Sequence, residues 1–314
     1  MSVTMAITRP GVDVATGVGV ACGSFGELLQ GALPETMDLD DFLVTFPIAR
    51  WTRAWFRFEP DAPLRVFPSH KVKSRRLAET LLARNSSSGG GTLIIDSDLP
   101  VGKGLASSSA DLVATARAVG LVLGLETSPK AIEGWLRPIE PTDGVMYHGV
   151  VVFEHRKVRA ASQLGVLPPL TVVAVDEGGQ IDTVAFNQRP RRYSPAQREE
   201  YACLLEELTR AVRAGDLAAL GAVTTRSAIL NQRLQPKRHF EAVLAISSAA
   251  GALGVICAHS GTMLGILLSD ETPGHADRLR KVTEACEVVA GTGAEPVWIF
   301  HSFMLNGAET QREI

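Results

Sequence analysis

Pro100-Val-Gly-Lys-Gly-Leu-Ala-Ser-Ser-Ser-Ala110 lies between a β-branched run, Thr92 to Ile95, and a run of small and apolar residues from Ala106 to Leu123. The order predicts a strand, a glycine-bearing loop and a helix whose first turn carries three serines. Unpaired backbone N–H groups point outward at a helix start, and the helix dipole adds to their pull on negative charge. Gly102 and Gly104 let backbone approach a phosphate, and the hydroxyls of Ser107, Ser108 and Ser109 suit phosphate oxygens or a hard cation. Read alone, the serines equally suit a plain helix cap and the glycines a plain turn. The stretch contains no G-x-x-x-x-G-K-[ST] loop, and no G-x-S-x-G elbow surrounds the serines.

Outward from the loop, the first half of the chain is rich in β-structure and the second half is more helical. Val18 to Ala21 and Phe42 to Phe46 read as short strands, and Trp51 to Phe58 alternates aromatic with polar residues as a half-exposed strand does. Asn85 to Gly91 has the composition of a flexible loop. The small, apolar run after Leu105 suits a helix buried between layers. Val150 to Phe153 and Leu170 to Val175 read as strands. A composition shift over Gly165 to Pro169 sets the domain boundary, giving a loosely ordered extension at 1–16 and domains at 17–165 and 166–314. Beyond it, Ser194-Pro195 is an N-cap with proline at the first helical position. Tyr201, Leu204, Leu205, Leu208 and Val212 follow at helical spacing up to Gly215, and Asp216 caps the next helix. Strands are expected at Leu264 to Leu268 and Val297 to Phe300, with a helix from Ala276 to Val289 between them.

Composition removes other classes. The chain has 314 residues, 46% of them hydrophobic, and a net charge of −3, so it can bury a large core and offers no broad basic face for nucleic acid. The basic clusters Lys71 to Arg76 and Arg189 to Arg192 read as solvated surface. No apolar run reaches the roughly 20 residues that span a bilayer. The N-terminus lacks the pattern of a signal peptide, and a cytoplasmic location without membrane contact is the expectation. Cys22, Cys203, Cys257 and Cys286 form no CxxC pair and read as buried free thiols. The seven histidines show no metal-ligand spacing.

Three segments together resemble the GHMP kinase superfamily. Pro100-x-x-x-Gly104-Leu105-x-Ser107-Ser108 is similar to its phosphate loop, Cys22-Gly-Ser-Phe-Gly-Glu-Leu-Leu-Gln-Gly31 to its N-terminal substrate segment, and Ala258-His-Ser-Gly-Thr-Met-Leu-Gly265 to its glycine-rich third motif. Within the superfamily, these segments and Ile181-Asp-Thr-Val-Ala-Phe-Asn187 look like the L-threonine kinases of cobalamin biosynthesis. The resemblance implies a two-domain α+β GHMP kinase fold, with a ribosomal-protein-S5-like N-terminal domain and a ferredoxin-like C-terminal domain. It further implies ATP, Mg2+ and a small hydroxylated amino acid as acceptor, with O-phospho-L-threonine as product.

Residues carry over position by position. Pro100, Gly102, Lys103, Gly104, Leu105, Ala106, Ser107, Ser108 and Ser109 would hold the nucleotide, and Lys103 would touch phosphate or face solvent. Glu140, by similarity to homoserine kinases, would share the magnesium ion with Ser108. Asp143 would be the base or the partner of the acceptor hydroxyl. Glu27 and Gln30 would meet the substrate ammonium, and Ser260 and Gly261 its carboxylate. Asp182, Thr183 and Asn187 are further pocket candidates, as are His148 and His259, which flank the motifs, and Lys237 and Arg238. One departure stands out: galactokinases place an aspartate after Gly-Ile-Met, whereas here Gly144-Val145-Met146 is followed by Tyr147. Either Asp143 replaces that base or the acceptor gives its proton directly to the phosphate. Phosphorylation of another hydroxylated amino acid, serine-like or homoserine-like, and a catalytically silent sensor are the rival readings. The oligomeric state stays open, a homodimer among the options.

Overall fold

The computed structural model describes residues 15–37, 41–85, 89–179, 193–291 and 295–303. Ten strands form one sheet: β1 (Thr16–Ala32), β2 (Asp41–Pro60), β3 (Leu64–Phe67), β4 (Gly89–Ser97), β5 (Val150–Glu154), β6 (Arg159–Gly165), β7 (Leu170–Asp176), β8 (Gly254–Cys257), β9 (Met263–Ser269) and β10 (Trp298–His301). The order is β10-β7-β9-β8-β1-β2-β4-β3, with β5 pairing β2 and β6. All pairs are antiparallel except β3 with β4. Seven helices accompany it among the described residues: α1 (Val72–Arg84), α2 (Ser107–Val122), α3 (Pro129–Leu136), α4 (Pro195–Ala214), α5 (Leu217–Asn231), α6 (Phe240–Ala249) and α7 (His275–Ala290).

Several sequence expectations are met. Ser194 caps α4 through a capping box with Gln197, Gly215 closes it in the left-handed conformation, and Asp216 accepts from the N–H of Ala219 to start α5. The strand expected over Leu170 to Val175 forms as β7, with Val172 and Ala174 in the main core and Val173 and Val175 in a second core with α6 and α7. Others change. The two strands expected over Phe42 to Phe58 are one continuous β2, because β1 pairs with it end to end and absorbs the irregularity as register shifts at Cys22, Ser24 and Glu27. Gly89, Gly90 and Gly91, expected in a loop, open β4. The cluster Lys71 to Arg76 begins α1, whose Leu77, Ala78, Leu81 and Leu82 are buried. Cys203 is exposed, unlike the other three thiols.

Two contacts position the chemistry. α2 lies against the sheet so closely that a Cβ on Gly19 would stand 2.1 Å from the carbonyl oxygen of Ala114, so only glycine admits this approach. The β1 bulge also swings Glu27 against Cys257 of β8, where the first half of the sheet meets the second.

Candidate active site

The helix start is not a serine cap. The N-cap of α2 is Ala106, in the left-handed region at φ 57, and no side chain caps the helix. Ser107, Ser108 and Ser109 are already helical, so the first N–H groups of α2 have no capping side chain and the hydroxyls are free for other partners. Holding a non-glycine residue at positive φ costs on the order of 1 kcal/mol. Backbone stitching holds the loop: Ser24 N–H donates to Leu105 O at 3.3 Å, Gly26 N–H to Gly104 O at 3.1 Å and Thr262 N–H to Lys103 O at 3.1 Å. A Cβ on Gly104 would lie 2.5 Å from that of Ala258. Gly104 therefore serves close packing of the loop against the third motif.

In front of this helix start lies a cleft of about 560 Å³. The hydroxyl of Ser108 donates to Glu140 Oε1 at 2.5 Å, and the ammonium of Lys73 donates to Glu140 Oε2 and, at 3.3 Å, to Ser108 Oγ. Lys71, from the same helix start, pairs with Asp111 of α2 at 2.5 Å, and Thr52 donates to the other oxygen of Asp111. Lys71 and Lys73 thus line the cleft and are paired there, which corrects the surface reading for these two residues of the cluster, while Arg76 is exposed as expected. Their spacing, two residues apart just before the apolar rows of α1, was the available signal. The lone acid Asp111 in an otherwise small and apolar helix was another.

Asp143 also lines the cleft. Its backbone N–H donates to Ser109 Oγ at 3.1 Å, and Ser109 Oγ approaches Asp143 Oδ2 at 3.4 Å. Burial, then the charges of Glu27 and Glu140, push the Asp143 carboxyl up to about 7. Tyr147, in the slot where a base was expected, turns away and donates to Glu133 Oε1 at 2.8 Å, so it is structural.

Glu27, Gln30 and Ser260, expected to meet the substrate, also line the cleft. Glu27 Oε2 accepts from both the backbone N–H and Nδ1 of His259, and His259 Nε2 lies 3.1 Å from Ser227 Oγ. These contacts match the connectivity of a Ser-His-Glu relay, but Ser227 is buried in the core away from the cleft, so the chain of bonds positions Glu27 instead. Two buried acceptors in the cleft, Gln30 Oε1 and Thr142 Oγ1, have no hydrogen-bond partner in the protein. A buried orphan of this kind is costly unless a ligand or water satisfies it.

Other expected residues sit elsewhere. Lys103 neither faces solvent nor lines this cleft; it pairs with the buried Asp176 at 2.5 Å and donates to Gly179 O. Asp176 in turn accepts from Thr262. Pro100 and Gly261 do not line the cleft; Gly261 packs on Lys103 and Gly104, and its carbonyl accepts from Gln235 and Lys237. Lys237 is therefore a strut for the third motif, with burial depressing its basicity, while the backbone N–H of Arg238 donates to Glu177. His148 is exposed and lies outside the cleft, whereas His70 and His155, which sequence reading passed over, line it. Asp182, Thr183 and Asn187 lie outside the described residues.

The donor set fits a hard cation. A carboxylate and a hydroxyl converge, and an ammonium already stands on both. No three His, Cys, Asp or Glu side chains gather to hold a metal among the described residues. A magnesium ion here would complete its shell with water and the oxygens of its ligand, its usual mode with phosphates.

Residues 72–149 match the family model of the GHMP kinases N terminal domain. An L-threonine kinase of Citrobacter freundii is 31% identical over 55% of this chain and 61% of its own length, so that alignment spans about three-fifths of the relative. An L-threonine kinase of Salmonella typhimurium is 28% identical over 78% of this chain and 80% of its own. A homoserine kinase structure from Cytophaga hutchinsonii superposes with a TM-score of 0.69 at 14% identity, covering 96% of this chain and 98% of that one. The chain carries a GHMP kinase N-terminal domain and has the α+β fold of the GHMP kinases. Two of its relatives are L-threonine kinases.

Proposed function

We propose that the protein is a magnesium- and ATP-dependent kinase that phosphorylates the side-chain hydroxyl of L-threonine. The observation that carries this reading is the convergence, in one cleft, of the uncapped start of α2, the Ser108–Glu140 pair and the raised Asp143 carboxyl. The names of the two curated relatives favour L-threonine over other hydroxylated amino acids.

Each residue then has a task. The free N–H groups at the start of α2 and the serine hydroxyls bind the phosphates of the donor. Ser108 and Glu140 would hold magnesium, which when bound neutralises charge on the phosphate oxygens. Asp143, ionised in part at neutral pH, takes the proton as the threonine oxygen bonds to the γ-phosphorus and the bond to ADP breaks. Glu27, fixed by His259, and the orphan Gln30 Oε1 receive the substrate ammonium, while Ser260 faces its carboxylate. Fixing the acceptor in line with the γ-phosphate is the larger part of such catalysis.

The deciding experiment measures ADP release with L-threonine, L-serine and L-homoserine and identifies the product by phosphorus NMR. The reading expects O-phospho-L-threonine and the highest kcat/KM for L-threonine. ATP binding without ADP release for any of the three would overturn it in favour of a sensor.

A further inference from the structure

Lys73 contacts both groups assigned above as cation ligands. Its ammonium donates to Glu140 Oε2 and to Ser108 Oγ, the two groups that converge as cation ligands. The partners differ in exposure: the Lys73 side chain is 39% exposed and that of Glu140 only 6%. The ammonium therefore reaches a buried carboxylate from the solvent side, on a flexible stem that can leave without disturbing the core. The backbone below it is fixed, since α1 is anchored by Leu77, Ala78, Leu81 and Leu82. Lys71 is already committed to Asp111 in a pair exposed by only 14% and 8%, so Lys73 is the one of the two with room to move.

We propose that Lys73 is a tethered counter-ion of the metal site. In the nucleotide-free protein it neutralises Glu140 and competes with free divalent cation for the same oxygens. When metal arrives with nucleotide, two cations cannot share those ligands, and the Lys73 ammonium swings to the phosphate oxygens in front of α2. A cation held on the protein has a high local concentration, so the site discriminates against metal alone and accepts metal with nucleotide. The inference rests on the assignment of Ser108 and Glu140 as metal ligands.

The test titrates the nucleotide-free protein with Mn2+ alone, following free Mn2+ by its electron paramagnetic resonance signal. Lys73→Met is expected to bind Mn2+ at least fivefold more tightly than wild type, and Lys73→Met with Glu140→Gln is expected to lose that gain. If Lys73→Met does not fold by circular dichroism, Lys73→Gln is read in the same way. Unchanged or weaker Mn2+ affinity in the folded variant overturns the inference. Glu140→Gln alone separates the two levels. If it binds Mn2+ with ADP as tightly as wild type, the ligand assignment falls. If it binds more weakly while Lys73→Met shows no gain, the Lys73 inference falls alone.

Discussion

His259 Nδ1 lies 2.8 Å from Glu27 Oε2, joining the third glycine-rich motif to the bulge of β1 across 232 residues of sequence. The backbone N–H of His259 donates to the same oxygen at 3.1 Å, so one carboxylate oxygen ties the two segments twice. Glu27 thereby enters the cleft in a fixed orientation, with Oε2 committed to His259.

His259→Leu would leave Glu27 with only the backbone donor and Ser227 without its ring partner. Loss of a buried hydrogen bond to a charged group predicts a destabilisation of about 1–3 kcal/mol. If Glu27 receives the substrate ammonium, KM for the amino acid should rise at least tenfold while KM for ATP changes little. Denaturant melts and two-substrate kinetics check both, and an equal rise in the two KM values would contradict the assignment.

Asp143→Asn separates the two proton routes. If Asp143 is the base, kcat falls by about 10²- to 10⁴-fold. If the acceptor loses its proton directly to phosphate, turnover stays near wild type. Wild-type kcat should also rise with pH through about 7, where the carboxyl ionises, and the variant should lose that limb.

The same substitution has a stability signature. The folded-state carboxyl near 7 lies above its ordinary value of 3.8, so folding takes up a proton between these limits. Stability contributed by the neutral acid is complete below about pH 4 and is lost as pH rises through 7. Without nucleotide or metal, Asp143→Asn should therefore melt higher than wild type at pH 8, by about 2–4 °C for each kcal/mol of relief. The difference should vanish near pH 4. A lower melting temperature at pH 8 would show that burial does not strain the charge.

Lys103→Met breaks an ion pair whose Asp176 side chain is fully buried. Removing one partner of such a pair costs about 3–5 kcal/mol, because the other charge is stranded. Equilibrium unfolding should show this loss. Nucleotide affinity, measured well below the melting temperature, should change less than tenfold, since Lys103 does not line the cleft. A loss of a hundredfold or more would restore Lys103 as a phosphate ligand.

Tyr147→Phe removes only the hydroxyl that donates to Glu133. Glu133 keeps the Lys130 ammonium and the Ala160 N–H, so the loss should be about 1 kcal/mol with turnover unchanged. A large fall in kcat would return Tyr147 to the chemistry.

Much of this was legible in the chain. Local rules act over a few residues, and so Ser194-Pro195, Gly215, Asp216 and the α2 run could be read directly, as could the strand, loop and helix around Gly104. The phosphate-loop motif likewise pointed to Ser108, and the likeness of the segment around Glu140 and Asp143 to homoserine kinases pointed to those two; all three do meet in one cleft. The continuity of β2 was not legible, because its middle is held by pairing with β1 rather than by its own pattern.

What only the tertiary structure decided is where long side chains end. Lys71 and Lys73 look like solvated surface in sequence, yet α1 packs its apolar row inward and aims its first turn at Glu140 and Asp111. Lys103 sits in the phosphate loop, yet Asp176, 73 residues later, draws it away. The sequence by itself determined the fold class and the helix start at Ser107. Which charges face that start depends on partners far apart in sequence, and no local pattern encodes a pairing that forms only when the sheet closes.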